Sequence, residues 1–341
     1  MEKLYHYTGI IHVHTIFSKD SLLKPLDLLP YLKKFKIDYM IITDHNTIEG
    51  KNYEGFHDSI LYLVGEEITP KEGNHLLAFN IESLVKPQKN IQDVIDEINN
   101  QQGLSFIEHP FIEKNELIKK NINMKWIDWS VKDFSGISIF NYTCDGGERL
   151  NLFKYFIFYF FPGLDKDRPN YKTIKKWDEL NKIRKTIGIG TLDAHFLYFK
   201  FLNFNIEYFP FKYFFNSIRS NIISSKPLNK DTVYDEIKKG HLYVIHNYLG
   251  NGEGFNFYIK RDKEMFLMGD ELKLKGNETL YIKLPTKSLI KLIYNGDCIY
   301  QKVCKEVVYN QLKSGFYRVE IYKFHMLNYK PWIFSNPIYI K

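Results

Sequence analysis

Two histidines on one apolar segment open the chemical reading. In "GIIHVHTIFSKDS" the residues His12 and His14 stand at i and i+2, with Asp20 shortly after. Side chains alternate along a strand, so an i, i+2 pair projects from one face, as a two-histidine chelate requires. Similar groups recur at the ends of later apolar runs: Asp44-His45, Glu66-Glu67, His75, Glu108-His109-Pro110, and Asp193-Ala194-His195. Each motif alone is common by chance. Six of the 11 histidines at expected strand ends is a pattern, and it points to clustered metal ions. Nitrogen and oxygen donors without sulfur suit zinc, manganese or iron. His6, His57, His241, His246 and His325 lack such placement and are read as ordinary surface or core residues.

Donors spread so widely along the chain need a scaffold that gathers strand ends. "YTGIIHVHT", "DYMIITDHN", "SILYLVGEEIT", "NHLLAFNI", "LSFIEHP", "SGISIFN" and "IGIGTLDAH" read as strands. "KPLDLLPYLKKFK", "NIQDVIDEINNQQG", "YKTIKKWDELNKIRK" and "DTVYDEIKKG" read as helices; Pro25 starts the first, and Pro30 is expected to kink it. The second helix buries Ile91, Val94, Ile95 and Ile98 on one face. This alternation predicts an α/β fold with a largely parallel sheet. A parallel barrel would bring the C-terminal strand ends to one rim. Beyond about residue 250 only short strands and turns follow, with Asn295-Gly296 as a hairpin signal. The expected division is therefore residues 1–250 as the donor-bearing α/β domain and 251–341 as a small antiparallel β-sandwich.

Composition narrows the class. At 341 residues, 44% hydrophobic and 26% charged, the chain reads as an ordinary globular protein. Its net charge of +7 is spread along the sequence, which argues against a nucleic-acid partner. Cys144, Cys298 and Cys304 form no CxxC pair, so neither a disulfide framework nor a thiolate zinc site is expected, and a reducing, cytoplasmic location fits. No signal peptide pattern opens the chain. The run "LNLFKYFIFYFFPGL" is too short to span a bilayer and reads as a buried or interfacial helix. This stretch and "FLYFKFLNFNIEYFPFKYFF" match no motif.

With these residues assembled, the chain resembles the PHP (polymerase and histidinol phosphatase) superfamily. The motifs stand in order as "HVHTIFSKD", "TDHN", "GEEIT" followed by "NH", "EHP" and "LDAH", over roughly residues 8–246. The β-rich tail resembles the extension of the carbaryl-hydrolase-like branch. The resemblance implies a distorted seven-stranded, TIM-like β/α barrel with two or three metal ions at the strand C-termini. It assigns a first ion to His12, His14, Glu67 and Asp193, a second to Glu67, His75 and His109, and a third to Asp20, His45 and His195. Glu67 is chosen over Glu66 because the family pattern is Gly-x-Glu counted from Gly65. Asp44, out of phase with His45, is expected to orient a histidine ligand.

The activity expected is hydrolysis of a small phosphate ester by a hydroxide bridging two ions, with no serine or cysteine nucleophile. Arg219, in "FNSIRSNI", is a candidate phosphate-binding fork, with an exposed helix position as the plainer expectation. Alternatives are hydrolysis of a carbon ester, carbamate or amide, or a non-catalytic PHP binding module. Oligomeric state is left open.

Overall fold

The structure, a computed structural model, describes residues 3–112, 124–147, 168–201, 204–207 and 210–341. Strands β1 (Tyr5–Val13), β2 (Tyr39–Ile42), β3 (Gly55–His57), β4 (Ile60–Val64), β5 (Glu66–Ile68), β6 (Leu76–Phe79), β7 (Leu104–Ile107), β8 (Gly136–Asn141) and β9 (Ile187–Thr191) carry the motif-bearing segments. A small hairpin, β10 (Tyr198–Phe201) and β11 (Phe204–Glu207), precedes β12 (Ile218–Ser224) and β13 (Leu242–His246). The tail contributes β14 (Asn256–Arg261), β15 (Glu264–Leu267), β16 (Glu271–Leu272), β17 (Thr279–Tyr294), β18 (Asp297–Tyr309), β19 (Gly315–His325), β20 (Asn328–Ser335) and β21 (Ile338–Ile340).

The architecture is mixed α/β and rich in strands, and it departs from the expected closed seven-stranded barrel. A 14-stranded sheet runs in the order β15-β14-β17-β19-β20-β13-β12-β1-β2-β4-β3, with β16, β18 and β21 attached, and a separate five-stranded sheet runs β5-β6-β7-β8-β9. The sheets meet at isolated bridges, Val13 with Ala194 and His45 with Glu67. Pairing is also less parallel than the alternation suggests. β1/β2, β2/β4, β7/β8 and β8/β9 are parallel, while β1/β12, β12/β13, β5/β6 and β6/β7 are antiparallel. Antiparallel β6 has a use: its first end, with His75 just before it, lies where β5 finishes. Side chains of both sheets share one core, among them Ile11, Ile41, Leu63, Leu77, Phe106 and Ile189.

The helices follow the sequence closely. Ile91–Asn100 is capped by the Asn90 side chain and buries Ile91, Val94, Ile95 and Ile98. Lys230–Lys239 ends on Gly240 at φ 78°, the left-handed backbone glycine tolerates. The proline-rich segment differs. Pro25–Leu28 is a 3-10 turn and Leu29–Lys34 a short α-helix, with Pro30 in its first turn, where no amide donor is missed, so nothing kinks.

The tail strands surround a second core that includes Phe257, Ile282, Leu292, Val319 and Trp332. They are continuous with the sheet of β12 and β13 through the β13–β20 pairing. Asn295 and Gly296 make the anticipated hairpin between β17 and β18, both at positive φ. The aromatic run from 151 to 165 lies outside the described residues, and among those described no helix is long and apolar enough to cross a membrane.

One buried ionic joint ties the tail to helix Tyr171–Ile183, which packs behind β8. Arg318 donates to both oxygens of Asp178 at 2.7 Å and to Glu320 at 2.7 Å, with all three residues buried. Removing one partner leaves buried charges uncompensated. Arg318→Met should therefore cost about 3–5 kcal/mol in urea unfolding; a loss below about 1 kcal/mol would place the joint in a solvated setting, as for surface pairs.

Candidate metal centre

The end of β1 is irregular in a way that brings its two histidines together. Its register against β2 shifts between Ile11 and Val13, and His12 sits at φ 72°, a left-handed conformation unusual for a residue with a Cβ. Regular alternation is thus not what aligns the pair; a bulge turns His12 inward beside His14, and their Nε2 atoms lie 3.0 Å apart. His109 (φ 29°) and Asp193 (φ 52°) are also left-handed. Such strain persists where surrounding contacts over-determine it, and it gathers at functional sites.

Glu67 stands at the middle. Its Oε2 lies 3.2 Å from His12 Nε2, 3.4 Å from His14 Nε2 and 2.9 Å from His45 Nδ1. Its Oε1 lies 2.8 Å from His75 Nδ1 and 3.6 Å from His109 Nε2. Asp193 Oδ1 approaches His12 and His14 at 3.5 and 3.4 Å. Asp20 Oδ2 approaches His45 and His195 at 3.0 and 3.2 Å. The donors resolve into groups whose ligand atoms lie within 4.8 Å of one another: His12, His14, Asp193; Glu67, His75, His109; His14, Asp20, His45, His195; and His109, Cys144, Asp193. The first two are sealed from water, whereas Asp20, with 40% of its side chain exposed, marks the open side.

Neighbouring groups decide which imidazole nitrogen faces the cavity. His14 Nδ1 contacts Ser18 Oγ at 3.3 Å, and His195 Nδ1 donates to the Asp193 carbonyl at 3.0 Å, so both present Nε2 inward. Ser18 Oγ also accepts from the His45 amide at 2.9 Å. The Thr and Ser of "HVHTIFSKD" therefore shape the cavity without being donors to an ion.

Asp44 does not orient a histidine. Its carboxylate accepts from the Thr15 amide at 2.7 Å and the Thr15 hydroxyl at 2.6 Å, clamping the loop after His14. Arg219 is not brought to the cavity, and neither expectation for it holds. It is buried on β12 and donates to the carbonyls of Phe35 and Phe215, which turns its fork away from any phosphate at the rim. Glu66 faces away from the cluster and accepts from the Val85 amide, while Glu67 faces in.

Sequence reading missed Glu108. It is fully buried, accepts from Asn141 and Thr191 at 2.7 and 2.8 Å, and turns its other oxygen to His12 Nδ1 at 3.6 Å. Its signal was its place beside His109 at the end of β7.

The charges interlock. Burial opposes ionising His12, yet Asp193 and Glu67 outweigh it and hold the imidazole well above its ordinary range. Burial also opposes ionising Glu67, but His12 and His45 hold it well below the usual carboxylate range. His14, buried and beside His195, is pushed down to about 3. The donor set also leaves Glu67 Oε2, Glu108 Oε2, His75 Nε2 and both nitrogens of His109 buried with no hydrogen-bond partner. Paired imidazole nitrogens and orphaned carboxylate oxygens pointing at one another are what cations would satisfy, so the residues fit divalent metal ions.

No family model matches the chain. It is 30% identical over 151 residues, 40% of its own length and 83% of the relative's, to the uncharacterized protein MJ1587 of Methanocaldococcus jannaschii. Among solved structures it is similar to PsfC from Pseudomonas syringae (TM-score 0.41, 10% identity, 67% of this chain and 88% of that one). It is also similar to a provisionally assigned metal-dependent phosphoesterase from Bifidobacterium adolescentis (TM-score 0.37, 12% identity, 55% and 87%). A third is an amidohydrolase from Chromobacterium violaceum with bound sulfate (TM-score 0.35, 12% identity, 55% and 87%). Likenesses at this level assign no activity.

With Glu108 Oε2 behind His12 at 3.6 Å from Nδ1, Glu108→Gln should weaken zinc binding about 10- to 100-fold, the range for partners behind a metal ligand. Competition with a chelating dye measures this. Unchanged affinity at an unchanged melting temperature would remove Glu108 from the centre.

Proposed function

We propose that the chain, which belongs to the family of Methanocaldococcus jannaschii MJ1587, is a metal-dependent hydrolase acting on phosphate esters. One observation carries the reading: nine donors far apart in the sequence gather in one cluster with Glu67 at its middle. His12, His14, Glu67 and Asp193 would hold a first ion, Glu67 with His75 and His109 a second, and Asp20, His45 and His195 a third. The motif order along the chain, similar to that of PHP phosphoesterases, supports a phosphate ester as the substrate.

Divalent cations, when bound, supply Lewis acidity toward phosphoryl oxygens and lower the pKa of water from 15.7 to about 7. The chain's own residues do the positioning. Glu108 steadies His12 from behind, Ser18 and the Asp193 carbonyl fix His14 and His195, and Asp44 locks the loop after His14. Burial of Glu67 and Asp193 excludes water from the inner part of the site, which strengthens every charge interaction there. Asp20, His45 and His195 line the open side, where a substrate would enter.

The test pairs metal analysis of the purified protein with aryl phosphate monoester, phosphodiester and carboxylic ester substrates. The expected outcome is phosphate release abolished by chelator and restored by Mn²⁺ or Zn²⁺. Carboxylic ester cleavage without phosphate release would replace the substrate class. Stoichiometric metal with no turnover on any substrate would make the chain a binding module.

A further inference from the structure

The metal reading above uses nitrogen and oxygen donors only, yet one thiol stands inside the same cavity. Cys144 lies on the short helix Tyr142–Gly147 that follows β8. It is buried, and its Sγ is 3.3 Å from Asp193 Oδ2. With His109 and Asp193 it forms a group whose ligand atoms lie within 4.8 Å of one another.

A cysteine near a carboxylate needs more than proximity to be a ligand. The second observation is His109. It is only 4% exposed, and neither ring nitrogen has a hydrogen-bond partner. A buried imidazole with both nitrogens unsatisfied is costly unless something occupies the space it faces. Cys144 and Asp193 each bring a ligand atom within 4.8 Å of one of those nitrogens. A tetrahedral ion with bonds of about 2.3 Å to sulfur and about 2.0–2.2 Å to nitrogen and oxygen holds its ligand atoms roughly 3.5 Å apart. The Cys144 thiol donates to Asp193 Oδ2 at 3.3 Å, a separation that a shared ion replacing the proton would keep.

The thiol is also held in place. The Cys144 amide donates to Asn141 Oδ1 at 2.7 Å, and Asn141 in turn donates to Glu108 at 2.7 Å. The neighbouring Thr143 hydroxyl bonds the carbonyls of Leu192 and Asp193 at 2.8 and 2.9 Å, so the helix and the Asp193 loop move as one piece. Cys298 and Cys304 lie on β18 and have no such surroundings.

We infer that Cys144 is a thiolate ligand to the cation held by His109, the second ion above, with Asp193 offering Oδ2 to it and Oδ1 to the first, so that the centre selects a thiophilic ion such as zinc over magnesium or manganese. Coordination forms a sulfur–metal bond and releases the thiol proton to solvent. Soft sulfur donors favour zinc among the common divalent ions, whereas carboxylates and water suit magnesium and manganese. This deepens the proposed function and rests on it, since it names the metal class of the same centre. It also corrects the expectation, from the lack of a CxxC pair, that thiolate plays no part.

The test is cobalt substitution of the full chain. Thiolate bound to Co²⁺ gives an intense near-ultraviolet charge-transfer band that nitrogen and oxygen ligands do not. The Cys298→Ser/Cys304→Ser double variant, in which Cys144 is the one remaining thiol, should bind cobalt and keep the band. Cys144→Ser should bind cobalt without it and lose the preference for zinc over manganese in competition. If the double variant binds cobalt stoichiometrically with no band, Cys144 only donates its proton to Asp193; the inference falls and the metal reading stands. If neither protein binds cobalt, or if His14→Ala binds as well as the parent, the metal reading fails and takes the inference with it.

Discussion

A carboxylate removed from water is tolerated only where positive charge compensates it, and the site is organised around that constraint. Glu67, Glu108 and Asp193 are all at most 4% exposed and lie within one cavity. Protonated histidines could balance them, but packing several imidazolium ions at contact distance is itself unfavourable, and His14 is held strongly toward its neutral form by burial and by His195. Neutral imidazoles with divalent cations balance the same carboxylates with less repulsion. Several unusual features of the site serve that balance: the bulge at His12, the left-handed His109 and Asp193, and the contacts behind the His14 and His195 rings.

The scaffold meets the demand with two sheets in place of a closed barrel. The large sheet supplies β1 and β2, the smaller supplies β5 to β9, and the bridges Val13–Ala194 and His45–Glu67 sit beside the donors themselves. The site therefore lies along the seam between sheets. Relative motion of the sheets would pull His12 and His14 from Asp193, and His45 from Glu67, so loss of the seam and loss of the centre are one event.

The chemistry was legible from the sequence to a large degree because it is local. An i, i+2 pair, a histidine before a proline, and a carboxylate at a strand end are visible in a few residues, and all nine proposed donors fall at one cavity. Helix positions followed for the same reason, from local apolar periodicity and the closing glycine of "DTVYDEIKKG". What depends on distant partners was hidden. Arg219 looks like a free fork until Phe35 and Phe215 are folded against it. Asp44 gains its partner, Thr15, only when β1 and β2 pair. Glu108 points inward because β7 ends in a turn at His109, which breaks the alternation that would have turned it out. The order of strands within the sheets depends on long-range pairing, which no short segment encodes.

The account stands or falls on whether cations occupy the space that Glu67 faces. Anomalous diffraction from crystals of the full chain, grown with zinc or manganese, tests this directly. Strong peaks are expected between His12, His14, Glu67 and Asp193 and between Glu67, His75 and His109. A well-ordered cavity with no anomalous signal, Glu67 hydrogen-bonded to protonated histidines and metal found only at the surface would contradict it.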